Sequence, residues 1–172
     1  MLDVFNHDIK NPVFDFLFPL ITRSAEIVVF FPLCLLILIW DKKKGKRITM
    51  LLVIAYLLSR LSTLFLKHLT HRPRPFLIYP DLNVLGKAIF SAFPSGHVTL
   101  ACAIAIVLGK KYRDWQWLMW IWIALVSVSR MYMGLHYPTD VMAGIVVGLT
   151  IGYITNFLER IYETYKKKGK LK

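Results

Sequence analysis

Five long apolar runs, almost free of charge, occupy residues 27–40, 48–66, 94–109, 115–129 and 141–158. They read as helices, and a helix needs about 17 to 25 residues to cross the hydrocarbon core of a bilayer. Several runs fall short of that, so each crossing helix must extend into the polar residues at its ends. Polar groups then lie at membrane depth, where they are expensive and point to function. A sixth segment, residues 12–22, is apolar and aromatic but carries Asp15 and is interrupted by Pro19, which suits a helix lying in the interface. The expected architecture is an all-α integral-membrane bundle of five to six transmembrane helices. It forms one domain over residues 1–172, with an interfacial N-terminal segment (1–23) and a basic cytoplasmic tail (160–172).

The chain of 172 residues is 56% hydrophobic and carries 22 Lys and Arg against 10 Asp and Glu, a net charge of +12. A chain this apolar is not a disordered basic tail, and its mean hydropathy of +0.53 excludes an ordinary soluble enzyme. Such a charge first suggests nucleic acid, so its placement decides. The segments DKKKGKR (41–47), KKYRD (110–114) and KKKGKLK (166–172) contribute +4, +2 and +5, all but one of the net +12. Five crossings put all three on one side, which the positive-inside rule makes cytoplasmic. The charge is thus a topology signal, and no nucleic-acid partner is expected. The stretch through Glu26 carries a net −2, as expected of the opposite face.

Cys34 and Cys102 both fall within apolar runs and imply no disulfide framework. The N-terminus lacks the basic region of a secretory signal, so no cleavage is expected. Gly144, Gly148 and Gly152 recur every fourth residue, as do Ala101, Ala105 and Gly109. Both stripes are assigned to close helix packing.

Two connections on the outer face, residues 67–93 and about 130–140, are rich in Arg, Lys and His and break the charge rule that the other loops obey. Lys67, Arg74 and Arg130 are suited to holding a phosphoryl group, Arg as a fork of donors and Lys as a point charge. Ser95-Gly96-His97 follows Pro94 and opens an apolar run, so it reads as a helix start with exposed backbone N–H groups, an anion site or a plain capping turn. His136 and Asp140 are four apart and share a helix face. Asp140 would hold one imidazole nitrogen and leave the other as a nucleophile; the alternative is an interfacial His beside a helix N-terminal charge. Counting helices brings all these groups to one membrane face.

Lys67 with Arg74-Pro75 matches K-x6-R-P, Pro94-Ser95-Gly96-His97 matches P-S-G-H, and Ser129-Arg130 with His136 and Asp140 matches S-R-x5-H-x3-D. In this the chain resembles the type 2 phosphatidic acid phosphatase superfamily, and NPVFDF near the N-terminus is similar to the pre-helix segment of bacterial members. The resemblance implies that His136 attacks phosphorus and Asp140 orients it. Lys67, Arg74, Ser95, Gly96 and Arg130 would hold the phosphoryl oxygens, and His97 would act first as acid and then as base. It implies no metal and no cofactor.

Four further residues are weighed separately. His68 and His71 lack a carboxylate or Cys to complete a metal site and are read as interfacial. Arg72 suits either substrate or lipid headgroups. Arg60, seven residues before Lys67, is placed about 10 Å deeper on nearly the same face, braced by Ser59 or Ser62.

The implied function is hydrolysis of a lipid phosphate monoester or diphosphate at the outer leaflet of a bacterial inner membrane, with a periplasm-facing site. The connection 76–93, of 18 residues, is too short for a covering domain, which favours a bulky headgroup and puts lipid A 1-phosphate first. Phosphatidylglycerophosphate, undecaprenyl diphosphate and phosphatidic acid follow. The alternatives are a lipid phosphotransferase and a non-catalytic lipid-binding or transport protein. The expected partners are the lipid substrate and the bilayer, with no obligatory protein partner.

Overall fold

The computed structural model describes residues 4–86, 88 and 91–169, and among them every regular element is helical. After a single π-turn at Val4–Asp8 come α1 (Pro12–Arg23), α2 (Ile27–Trp40), α3 (Gly45–Thr70) and the one-turn α4 (Pro75–Ile78). α5 (Gly96–Lys111), α6 (Gln116–Tyr132) and α7 (Pro138–Gly169) complete the bundle. Five of these contain or nearly coincide with the five apolar runs, and α1 is the sixth segment. By length and hydropathy, Gly45–Ile78 and Pro138–Lys168 are able to cross a membrane, and α1 with α2, bent by 58° at their junction, would make a third span.

α5 runs through the middle. Every residue from Val98 to Gly109 is buried, with α7, α3 and α6 packed around it. A helix that meets protein on all sides gains from close approach, and α5 alternates Ala101, Ala103 and Ala105 with larger apolar residues such as Leu100, Ile104 and Ile106. The two small-residue stripes divide the work. A Cβ on Gly144 would lie 2.8 Å from the Ser95 carbonyl oxygen, and one on Gly152 would lie 2.6 Å from Ile106 Cβ. A Cβ on Gly148 would overlap the Thr99 carbonyl. Ala101 and Ala105 instead pack with Ile123 and Val126 of α6.

The start of α1 is set locally. Pro12 supplies the first helical residue, and the Asn11 side chain accepts a hydrogen bond from the Phe14 N–H at 3.0 Å. Three contacts then lay α1 along α6. The Tyr132 hydroxyl donates to Asp15 Oδ1 at 2.7 Å, Arg130 donates to Thr22 Oγ1 at 2.9 Å, and Trp122 Nε1 donates to Ser24 Oγ at 2.7 Å. Tyr132 and Trp122 are ten residues apart, about 15 Å along α6, so α1 runs antiparallel to it. Phe18 and Thr22 are buried in this contact.

One buried side chain ties the segment before α1 to the loops. Asn6 donates to the carbonyls of Asn83 at 2.9 Å and Tyr132 at 2.8 Å, and accepts from the Asn83 N–H at 2.7 Å. Gly134 beside it has φ +67°, and a Cβ there would sit 3.2 Å from Asn6 Nδ2, so both conformation and space call for glycine.

The basic segments meet at one end of the bundle. Glu159 of α7 is buried between Arg47 Nε, at 2.7 Å, and Lys111, with Lys110 at 3.9 Å. The residues singled out for phosphate lie at the other end.

Candidate active site

A cavity of about 380 Å³ at that end is lined by Lys67, Arg74, Arg130, His97, His136 and Gly96, together with Arg60. α3 brings Arg60 and Lys67, α5 brings Gly96 and His97, α6 brings Arg130, and the α6–α7 turn brings His136. Three helix ends and one turn thus place the residues of all three motifs around one space.

The turn after α6 sets His136. Gly134 N–H bonds the Met131 carbonyl at 3.0 Å, Leu135 N–H bonds the Arg130 carbonyl at 3.3 Å, and Pro138 then starts α7. His136 is buried. Its Nε2 lies 3.2 Å from Arg74 Nη1, which also donates to the Leu135 carbonyl at 2.9 Å. A guanidinium only donates, so Nε2 carries the lone pair and the proton is on Nδ1. Nδ1 faces Asp140 Oδ2 at 3.6 Å. Burial first, and then the positive charges of Arg130, Arg74 and Lys67, hold the imidazole pKa well below its ordinary 6.5. The ring is therefore neutral, the form a nucleophile requires.

Asp140 is fully buried and held from two sides, while His136 Nδ1 has no hydrogen bond among the described residues. Asp140 Oδ2 accepts the Tyr137 N–H at 2.9 Å, and its Oδ1 accepts from Arg72 Nη1 at 2.7 Å. Arg72 therefore takes neither role expected of it. It donates a second bond to Thr139 Oγ1 at 2.8 Å and lies over the Tyr137 ring at 4.3 Å, so it clamps the first turn of α7 instead of facing substrate or headgroups.

The cations are anchored yet keep donors. Lys67 Nζ donates to the Ser91 carbonyl. Arg130 is 5% exposed and spends Nη1 on Thr22, while its Nε has no partner among the described residues. A buried N–H of this kind costs about 1 to 3 kcal/mol, which a phosphoryl oxygen would offset. Arg60 lines the cavity below Lys67, but neither Ser59 nor Ser62 hydrogen-bonds it, so the expected brace is not formed. Gly96 lines the cavity, and its missing Cβ leaves the Thr63 methyl 3.2 Å from where one would be. Ser95 sits at the N-cap of α5 but makes no side-chain cap bond. Its Oγ is buried without a partner, behind the lining, and its N–H bonds the Asp140 carbonyl at 3.0 Å. His68 and His71 pack edge to face on each other, 5.3 Å between ring centres.

Two residues on this site carry no sequence signal. Thr22 orients Arg130 from 108 residues away, and Glu26 lines the cavity with its Oε1 3.2 Å from His97 Nε2. Both come from the bend between α1 and α2. Glu26 is visible in the sequence only as part of an acidic N-terminal stretch.

A helical bundle that gathers four cations and two imidazoles around a cavity between its helix ends offers the donors that a phosphoryl group would need. The chain belongs to the PAP2 superfamily, whose family model matches residues 48–161. It is 31% identical over 167 residues to a lipid A 4'-phosphatase of Porphyromonas gingivalis, covering 90% of this chain and 68% of that one. It is 30% identical to an undecaprenyl-diphosphatase of Sulfolobus acidocaldarius, covering 81% of this chain and 68% of the relative. Among solved structures it is similar to LpxE of Aquifex aeolicus, with a TM-score of 0.78 and 29% identity over 90% of this chain and 91% of that one. A phosphatidylglycerolphosphate phosphatase of Bacillus subtilis shares the fold, with a TM-score of 0.73 at 23% identity over 88% and 79% of the two chains.

Proposed function

We propose that this PAP2-superfamily enzyme is a lipid phosphatase that works through a phosphohistidine on His136. The observation that carries the reading is His136 itself, a buried neutral imidazole on a cavity lined by Lys67, Arg74 and Arg130, whose Nε2 accepts from Arg74 until a phosphoryl group draws that guanidinium away, with His97 on the same cavity. Nε2 attacks phosphorus as the bond to the leaving oxygen breaks, and His97 gives that oxygen its proton. Asp140 stabilises the positive charge on the ring through Nδ1–H. Lys67, Arg74, Arg130 and the backbone N–H groups of Gly96 and His97 hold the oxygens where charge develops. Water, deprotonated by His97, then attacks phosphorus, and the N–P bond returns its electron pair to His136. The cations supply the charge stabilisation that a metal provides in kinases, so the reaction proceeds without one.

The substrate is a lipid-linked phosphate, with lipid A 1-phosphate first. Similarity to a lipid A 4'-phosphatase supports the lipid A class, and similarity to an undecaprenyl-diphosphatase keeps that diphosphate as the second candidate. Five crossings, with α1 as the interfacial or sixth segment, place the site at the periplasmic face of a bacterial inner membrane and the basic tail in the cytoplasm. The gathering of the basic segments around Glu159, away from the cavity, supports that orientation.

The test is phosphate release in detergent with EDTA present, from lipid A, undecaprenyl diphosphate, phosphatidylglycerophosphate and phosphatidic acid, comparing the native protein with His136→Ala. Release by the native protein alone, with loss of several orders of magnitude in the variant, is expected. Release that survives His136→Ala would overturn the phosphohistidine.

A further inference from the structure

A cavity built to hold phosphate is lined by Arg60, Lys67, Arg74 and Arg130, and yet it contains a carboxylate. Glu26 is 41% exposed there, and an anion in that position weakens phosphate binding, so its presence needs a reason. Its nearest partner supplies one. Glu26 Oε1 lies 3.2 Å from Nε2 of His97, and among the described residues His97 Nδ1 has no hydrogen bond. The carboxylate is itself held in place. The Thr22–Arg130 and Ser24–Trp122 bonds fix the chain just before Ala25, which packs in one cluster with Val98 and Ala101 of α5. The 58° bend is what turns Glu26 towards α5.

We propose that Glu26 is a positioning residue for His97, accepting a hydrogen bond from Nε2–H so that Nδ1 is the nitrogen that serves the leaving oxygen. This rests on the phosphatase reading above and adds a residue to it. The arrangement repeats, on the acid–base side, the pairing of Asp140 with His136: a carboxylate fixes one ring nitrogen and the other does the chemistry. In the first step His97 carries protons on both nitrogens and donates from Nδ1 as the P–O bond breaks. The neutral ring left behind keeps its proton on Nε2, still donated to Glu26. In the second step Nδ1 takes a proton from the attacking water and the imidazolium is restored.

The charges acting on His97 come from every side of the cavity. Arg130 of α6 and Arg60 of α3 oppose the imidazolium, and Lys67, Arg74 and His136 share its cavity; Glu26 is the one carboxylate on that lining. Arg130 and Arg23 act in turn on Glu26. Replacing Glu26 by Gln keeps the shape and removes the one carboxylate that stabilises the imidazolium among the described residues, so the acid form of His97 persists over a narrower range.

The experiment compares native enzyme, Glu26→Gln, Glu26→Asp and His136→Ala on the preferred lipid phosphate over the full pH profile, with melting temperature as the check on folding. For Glu26→Gln the expectation is a fall in kcat of about 10- to 100-fold, within the range general acid–base catalysis contributes. KM should not rise, since an anion has left a phosphate pocket. The alkaline limb of the kcat profile should move down by about one pH unit, and Glu26→Asp should recover part of the loss. A raised KM with an unmoved alkaline limb in either variant would overturn the proposal in favour of substrate contact. Unchanged kcat and profile would also overturn it. If native enzyme and His136→Ala release phosphate alike, the phosphohistidine fails, and if neither releases any, the phosphatase reading itself fails; either outcome is recognised before any Glu26 variant is considered.

Discussion

An exposed imidazole is partly protonated near neutral pH, and a protonated His136 has no lone pair to attack with. Burial at the α6–α7 turn removes that competition, at a cost expressed in stability. The folded-state pKa lies well below the ordinary 6.5, so below that pH the unfolded chain binds a proton that the folded chain refuses. The stabilisation is complete above about 6.5 and is lost as pH falls towards the depressed value, at about 1.4 kcal/mol per pH unit for one group. The melting temperature of the native protein should therefore drop more steeply between pH 7 and 5 than that of His136→Gln. Equal slopes would show that His136 is not the buried group responsible. Arg72 allows a second expectation at this scale. Its bond to Asp140 is charge-assisted and worth about 1.5 to 3 kcal/mol, so Arg72→Ala should lower kcat about 10- to 100-fold with little change in KM. A change confined to KM would mean that Arg72 meets substrate after all.

At the scale of helices, the spacing of small residues carries most of the packing information. Gly148→Ala puts a methyl group onto the Thr99 carbonyl and 2.6 Å from Cys102 Cβ, atoms of the central helix that cannot move aside. Overpacking of this kind costs about 1 to 3 kcal/mol, and the same substitution at Gly109 should cost much less. There the new methyl meets only the flexible Gln116 side chain, at 3.2 Å. Thermal unfolding of the two variants in one detergent checks the order, and a Gly109→Ala at least as destabilised as Gly148→Ala would contradict it.

The same scale shows why part of the site was legible and part was not. The helices announced themselves through hydropathy, and Lys67, Arg74, His97, Arg130, His136 and Asp140 sit where chain direction and motif spacing require. Ser95 was legible as a helix start, but its hydroxyl faces neither a cap nor the cavity. Glu26 and Thr22 left no trace, because they reach His97 and Arg130 across 71 and 108 residues through a bend that hydropathy does not encode. The contacts of Arg72 were hidden for a similar reason. Its role depends on Tyr137 and Thr139, partners 65 and 67 positions away that only the folded loop supplies.

For the whole molecule, the charged ends are spaced by the membrane they would serve. Asp140 and Glu159 are 19 residues apart on α7, about 29 Å along the helix axis, and Arg47 and Lys67 on α3 are 20 residues apart, about 30 Å. A hydrocarbon core is about 30 Å thick, so the two polar clusters lie at its two surfaces when these helices stand across it. The cluster around Glu159, with Arg47, Lys110 and Lys111 beside it, carries the charge excess expected on the cytoplasmic side. On the proposed orientation the cavity end would open to the periplasm. Cys34 and Cys102 are both buried, which keeps background thiol labelling low, so single cysteines can report each end. Tyr79→Cys, at a position 53% exposed beside the cavity, should react with a membrane-impermeant maleimide in intact spheroplasts. Lys168→Cys, at the far end of α7, should react only after the membrane is opened. The opposite pattern would invert the protein, move its substrate to the inner leaflet and remove the reason for its charge distribution. Labelling of both sites before lysis would mean that α3 and α7 do not stand across the bilayer as their spacing requires.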